Sequence, residues 1–151
     1  MANINYEIEG MEELVGLVKE LGKLPQKVVT QSAKDGGQIA LASAKVLAPE
    51  GPTKNLRKGI IMHGERKRVS GKKVYDIMMD PKMNDVFVNT TKDGKRYYYP
   101  AAVEYGFITK KGRKTEGKHF LRDALINNAD KIERAILDKL IKGIDKELSK
   151  R

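Results

Sequence analysis

Apolar and polar positions alternate near the start of the chain. Ile4, Tyr6 and Ile8 are interleaved with Asn5, Glu7 and Glu9 before Gly10, the two-residue period of a short strand with one buried face. The period then lengthens. Met11, Leu14, Val15, Val18 and Leu21 recur at helical spacing until Gly22, which predicts a short amphipathic helix. Pro25 suits the first turn of a second helix, where its missing N–H leaves nothing unpaired. From Val28 and Val29 through Gly36, Ile39 and Ala40 to Val46 and Leu47, one face continues up to Pro49. Gly36-Gly37 falls mid-helix, where each Gly costs about 1 kcal/mol against Ala. The pair marks either a kink or the close approach of a neighbouring backbone. The small residues Ala40, Ala42, Ser43 and Ala44 favour close approach.

Beyond Pro49 the pattern changes. Glu50-Gly51-Pro52-Thr53 reads as a turn-rich connection. Ile60-Ile61-Met62, Val74 to Met78 and Val86-Phe87-Val88 are short β-type runs, and the polar links Gly64–Lys73 and Asp80–Asp85 separate them. These runs predict an antiparallel meander of three strands, with Ile4–Ile8 a candidate fourth. Lys92-Asp93-Gly94-Lys95 makes a tight turn, and the stretch from Tyr97 predicts a short helix ending at Gly106. Residues 107–118 hold five basic residues, two Gly and little that can be buried, so a mobile basic loop is expected there. Leu121, Leu125, Ala129, Ile132, Ile136, Leu140, Ile144 and Leu148 then form a stripe. A helix from about 120 to 149 would be ~45 Å long at about 1.5 Å per residue. That is long for a chain of this size, and part of it is expected to pack on a neighbouring subunit.

The order of elements makes the fold class α+β. The expected layout is a small antiparallel sheet of three to four strands, with a short N-terminal helix, one long helix and a long C-terminal helix packed on it. The 151 residues suffice for a single domain, 1–151.

Charge changes this picture more than composition does. The net +10 is unevenly spread: residues 1–48 carry five basic and six acidic residues, 119–151 eight and six. The middle, 49–118, holds seventeen basic and eight acidic residues, a net of +9. Such a region can bind nucleic acid, meet an acidic partner, or simply keep the chain soluble. No stretch approaches the ~20 apolar residues that span a bilayer, so no membrane partner is expected. The opening residues lack the basic and apolar regions of a signal peptide. Zero cysteine removes disulfides and thiolate metal sites, and fits synthesis in a reducing cytoplasm.

No catalytic set emerges. His63 and His119 are far apart and fit no metal motif, and the serines show no nucleophile elbow. Ser70-Gly71-Lys72-Lys73 lacks the upstream Gly of a phosphate-binding loop. Asp76, Asp80 and Asp85 are the best metal candidates, since small nucleases gather carboxylates on strands to hold Mg²⁺. Solvated turn residues are the favoured reading of all three. The expectation is no enzyme, no cofactor and no metal.

Three segments resemble one family. Leu47-Ala48-Pro49 is followed by Thr53-Lys54-Asn55-Leu56-Arg57-Lys58-Gly59-Ile60, similar to a segment T-G-x-L-R-x-S-I after a long helix ending in Ala-Pro. Tyr98 to Gly106 is similar to Y-x-x-x-V-E-[FY]-G-T, with Phe107 in place of the last Thr. Phe120-Leu121-Arg122-Asp123-Ala124-Leu125 is similar to P-F-L-R-P-A-L, with His119 and Asp123 in place of the prolines. In this order and spacing they resemble the tail-component family of tailed phages and prophages, of the lambdoid gene-product-ten type (tail completion, or head–tail joining). The motif residues are Thr53, Leu56, Arg57, Glu104, Tyr105, Gly106, Phe120, Leu121 and Arg122.

The resemblance implies a structural virion protein, made in the host bacterial cytoplasm and carried into the virion at the head–tail junction. It implies a homo-oligomeric ring, sixfold by expectation, that closes on connector and tail-tube proteins around the passing DNA. Within the motifs, Gly106 is expected to end a helix at positive φ. Glu104 is expected to pair with Arg57 or with Arg122. Phe120 and Leu121 should anchor the last helix. Arg66, Lys67, Arg68, Lys72, Lys73, Lys110, Lys111, Arg113 and Lys114 form the candidate basic contact surface, in two loops expected to order only on assembly. The alternative reading is a nucleic-acid-binding protein using the basic surface of residues 54–118.

Overall fold

A computed structural model of the chain describes residues 12, 15, 16, 25–66 and 69–150. The expected strand Ile4–Ile8 lies outside these residues, as does most of the expected first helix; Glu12, Val15 and Gly16 are helical.

The long helix forms where the spacing predicts it. Helix α1, Gln26–Leu47, starts directly after Pro25 and runs unbroken through both mid-helix glycines. Its buried positions are Ser32, Gly36, Ala40 and Ala44, a ridge of small residues at every fourth position. The Ser32 hydroxyl donates to the Val28 carbonyl at 2.8 Å, so its burial leaves no donor unpaired. Close approach explains the glycines. A Cβ on Gly36 would stand 2.7 Å from Ile136 Cγ1, and one on Gly37 2.7 Å from Met62 Sδ. Neighbouring helical positions point about 100° apart. Gly36 therefore admits the C-terminal helix while Gly37 admits a strand, and α1 is the middle layer of the molecule.

After α1, the single-turn helix α2 (Asn55–Lys58) leads into strand β1 (Ile60–Gly64). β1 pairs antiparallel with β2 (Tyr75–Met79), from Ile60 opposite Met79 to Gly64 opposite Tyr75. The third strand of the expected meander does not form. The Asp80 carboxylate accepts from the Lys82 N–H at 2.9 Å and starts a 3-10 turn, Pro81–Met83, which continues into α3, Asn84–Phe87. Pro81 presets the helical φ here. The apolar run therefore splits. Phe87 is fully buried, Val86 is exposed, and Val88 opens a separate hairpin of β3 (Val88–Thr90) with β4 (Arg96–Tyr98).

Helix α4 (Tyr99–Tyr105) ends at Gly106, as expected. Residues 107–118, expected as a loop, contain most of a third hairpin: β5 (Gly106–Ile108) pairs with β6 (Lys114–Glu116). The fold class is α+β, and the described residues form three two-stranded antiparallel sheets rather than one larger sheet.

The expected C-terminal helix is two helices, α5 (Phe120–Ile126) and α6 (Ala129–Leu148). Asn128 makes the break. Its Nδ2 donates to the Ala124 carbonyl and to Ser43 Oγ, both at 2.9 Å, and its backbone leaves the helical region at φ −120°, ψ 12°. A side chain that bonds its own backbone four residues back competes with the helical ladder. Helix α6 lies along α1 rather than on a sheet, with Ile132 and Ile136 over Gly36 and an Asp35–Lys139 ion pair at the rim. No residue of α6 is fully buried.

The core gathers at the end of α1. Ala44, Ala48, Leu56, Ile60, Met79, Phe87, Phe120 and Ala124 form one cluster. Phe87 meets the rings of Tyr98 and Tyr99 edge-on, at 5.9 and 5.6 Å between centroids. Burial pushes both phenols above their ordinary 10.0, with Tyr99 adding to the effect on Tyr98. Among the described residues, no helix is long and apolar enough to cross a membrane.

Candidate assembly surface

Three of the motif residues, Glu104, Leu121 and Arg122, meet at the start of α5. His119, the residue before this helix, sits at φ 47° and offers no side-chain cap, so the first N–H groups need another acceptor. Glu104 supplies it from α4. Its carboxylate, 4% exposed, accepts from the Leu121 N–H at 3.0 Å and the Arg122 N–H at 3.2 Å. The charge also lies at the positive end of the helix dipole. Backbone bonds run alongside, from Lys118 N–H to the Val103 carbonyl at 2.7 Å and from His119 N–H to the Glu104 carbonyl at 3.1 Å.

Glu104 is thus not paired with Arg57 or Arg122. Arg57 reaches Glu50 at 3.5 Å and the Ala48 carbonyl at 3.5 Å, and its Nε is buried without a partner among the described residues. The Arg122 guanidinium turns to Asp123 at 3.0 Å. A carboxylate placed under a helix start finds two fixed donors with no side-chain entropy left to lose. That is why the cap wins over a mobile guanidinium.

The other motif residues fall into two groups. Leu56 and Phe120 are buried in the core, and Leu121 packs against it. The Thr53 hydroxyl accepts from the Asn55 N–H at 3.4 Å, a long bond that starts α2. Gly106 sits at φ 80°, and a Cβ there would collide with the Thr115 carbonyl oxygen. This glycine lets β6 cross close to the end of α4. Tyr105, by contrast, is 75% exposed.

The brace holds a hairpin whose root is apolar and exposed: Phe107 and Ile108 follow Tyr105, at 49% and 72% exposure. A second exposed apolar group lies where α1 and α5 cross at the Ser43–Asn128 bond. Val46 and Leu47 come from one helix, Leu125 and Ile126 from the other.

The candidate basic surface divides into two. Arg66, Lys72 and Lys73 belong to the link between β1 and β2, which is tied to the start of α1. Gln26 accepts from the Gly71 N–H and donates to the Lys72 carbonyl, both at 2.9 Å. Lys73 donates to the Glu65 carbonyl at 2.7 Å and lies 5.3 Å from the centre of the Tyr75 ring. Lys67 and Arg68 lie outside the described residues. The second part, Lys110, Lys111, Arg113 and Lys114, caps the β5–β6 hairpin, rooted near the opposite end of α1. At about 1.5 Å per residue, the anchors are ~30 Å apart along this helix.

Sequence reasoning missed a companion to that second part. Thr91-Lys92-Asp93-Gly94-Lys95-Arg96 and Thr109-Lys110-Lys111-Gly112-Arg113-Lys114 share the pattern T-K-x-G-[KR]-[KR]. Both close a hairpin with the same bonds. The Thr N–H donates to the carbonyl four residues on, at 2.8 and 2.9 Å; the Gly N–H donates back to the Thr carbonyl, at 2.9 Å in each. Each Thr Oγ1 also accepts at 3.1 Å from the N–H four residues on. Gly94 and Gly112 share φ near 76°, at 77° and 75°, as a turn followed by a left-handed residue requires. Lys110 bonds to Asp93 and joins the two tips. The repeated hexapeptide was the available signal.

Asp80 is occupied as a turn cap, and Asp76 on β2 stands opposite His63 on β1. Among the described residues, no three His, Cys, Asp or Glu gather where they could hold a metal ion. Comparison of the chain with protein-family models, with curated proteins and with solved structures finds no match in any of the three.

Proposed function

We propose that this chain is a structural subunit of a tailed-phage or prophage virion, closing into a homo-oligomeric ring at the head–tail junction. The observation that carries the reading is the presence of two sets of exposed apolar side chains. One is Tyr105, Phe107 and Ile108 at the hairpin root; the other is Val46, Leu47, Leu125 and Ile126 at the helix crossing. Clustered exposed apolar side chains mark interaction surfaces. A head-to-tail contact between two different patches closes into a ring when its rotation divides the circle, whereas a two-fold dimer needs only one patch.

The motif residues fit this role. Glu104, Gly106 and Phe120 brace the hairpin root against the core, so the patch has a fixed shape before any partner arrives. Connector and tail-tube proteins are the proposed neighbours, and the virion the proposed destination.

Deleting the gene from the phage or prophage that carries it tests the reading. The expected result is DNA-filled heads and separate or faulty-ended tails, with packaging intact. Normal infectious virions from the deletion would overturn it. At the level of the chain, Phe107→Ser with Ile108→Ser should abolish ring formation, read by electron microscopy, while leaving the fold intact by circular dichroism.

A further inference from the structure

The twin tips carry a charge that the brace and the apolar patches do not use. Their twelve residues hold seven basic side chains and one acidic, a net of +6 out of the chain's +10. All seven basic residues are exposed. The single acid, Asp93, contacts Lys110 of the other tip, so the two tips stand side by side. Lys114 meets Glu116 at 3.0 Å, and the other five form no ion pair among the described residues.

We propose that the two tips together bind the phosphodiester backbone of nucleic acid, without regard to sequence. Cations held this close repel one another, and a polyanion relieves the repulsion while releasing its own counterions. The repetition decides between a polymer and an acidic protein patch. One hexapeptide, folded the same way twice and clasped to its copy, presents like charges at a repeat. A phosphate backbone offers like charges at a repeat, and a folded acidic surface does not. The short paired strands fix the backbone under these side chains, so binding need only order their flexible ends. The basic link at the start of α1 lacks these features: Lys73 is committed to Glu65 and Tyr75.

Fluorescence anisotropy of labelled oligonucleotides with the full chain tests this. Wild type should bind a random-sequence 20-mer duplex at about 50 mM salt, with affinity falling steeply as salt rises. The variant Lys92→Ser, Lys95→Ser, Lys111→Ser, Arg113→Ser should bind at least about tenfold more weakly, and its slope of log affinity against log salt should be shallower by roughly 3–4. Arg66→Ser with Lys72→Ser, at the other end of α1, should change affinity by less than about twofold. A single strand of equal length separates the sources of the contact. Equal affinity assigns phosphates alone; tighter binding that Tyr97→Ala removes adds stacking on that exposed ring. No binding by wild type at low salt overturns the proposal, as does equal loss in both serine variants. Loss of self-association in the tip variant, with no oligonucleotide bound by wild type, overturns it in favour of a protein partner. The outcome is separable from the ring reading, which the apolar-patch variant tests on its own.

Discussion

The helical layer and the hairpin end are built on different principles. Where α6 crosses α1, stability comes from a repeating pattern. Small residues at every fourth position of α1 admit Ile132 and Ile136, and no residue of α6 is fully buried. At the hairpin end, single groups decide the structure. Phe120 fills the core below α5, Glu104 closes its first turn, and Gly106 lets a strand pass. A periodic interface weakens gradually when one contact is lost. An arrangement of unique contacts fails at one position.

The sharpest way to break this contrast is at the core. Phe120→Ala should cost about 3–5 kcal/mol, read as a fall in the urea midpoint with unchanged m-value. A loss under ~1 kcal/mol would mean that the hairpin end does not depend on that ring. Next comes the cap. Glu104→Ala removes the acceptor of two N–H groups, at about 1–3 kcal/mol, while Glu104→Gln keeps one accepting oxygen and should recover part of the loss. Hydrogen exchange at Leu121 and Arg122 should accelerate in the Ala variant first.

In the helical layer, Gly36→Ala sets two terms against each other. Helix propensity gains about 1 kcal/mol, and overpacking against Ile136 and Ile132 costs about 1–3 kcal/mol, so a net loss near 1 kcal/mol is expected. A net gain would show that α6 slides aside freely. A smaller effect, confined to alkaline solution, belongs to the phenols packed on Phe87. Both are raised in the folded state by burial, so the stability they contribute is complete below about pH 10 and is lost as pH rises through the folded values. The double variant Tyr98→Phe, Tyr99→Phe should flatten that part of a stability–pH curve. The smallest effect is at the tips. Asp93→Ala breaks an exposed ion pair and should change stability by no more than ~0.5 kcal/mol.

The same contrast explains what the sequence disclosed. Helix α1, helix α4 and the burial of Phe120 follow from spacing, from Gly106 and from an apolar residue at a helix start, all local signals. The antiparallel pair β1–β2 was legible, but β4, β5 and β6 were not, because they lie in stretches that read as helix and loop. Val86-Phe87-Val88 has a strand's composition, and only the turn begun by Asp80-Pro81 diverts it. The break at Asn128 combines a local bond to the Ala124 carbonyl with one to Ser43, eighty-five residues away, and the second lies outside any local window. Glu104 was singled out but given the wrong partner, because side-chain charges are visible in a sequence and vacant backbone N–H groups are not. The tips were half legible: charge density marks 110–114 and Lys92-Asp93-Gly94-Lys95 reads as a tight turn, while their likeness lies in the repeated hexapeptide.

The seven residues of α4 have one more consequence. They are the only helical segment between the two hairpins, running directly from Tyr98 at the end of β4 into Gly106 at the start of β5. The helix therefore works as a phase setter between two like-shaped prongs. One inserted residue would advance the second prong by about 1.5 Å and rotate it by about 100° relative to the first. Lys110 would then turn away from Asp93 with every hydrogen bond inside each hairpin intact. The length of this short helix is held to a whole number of residues by what lies beyond both of its ends.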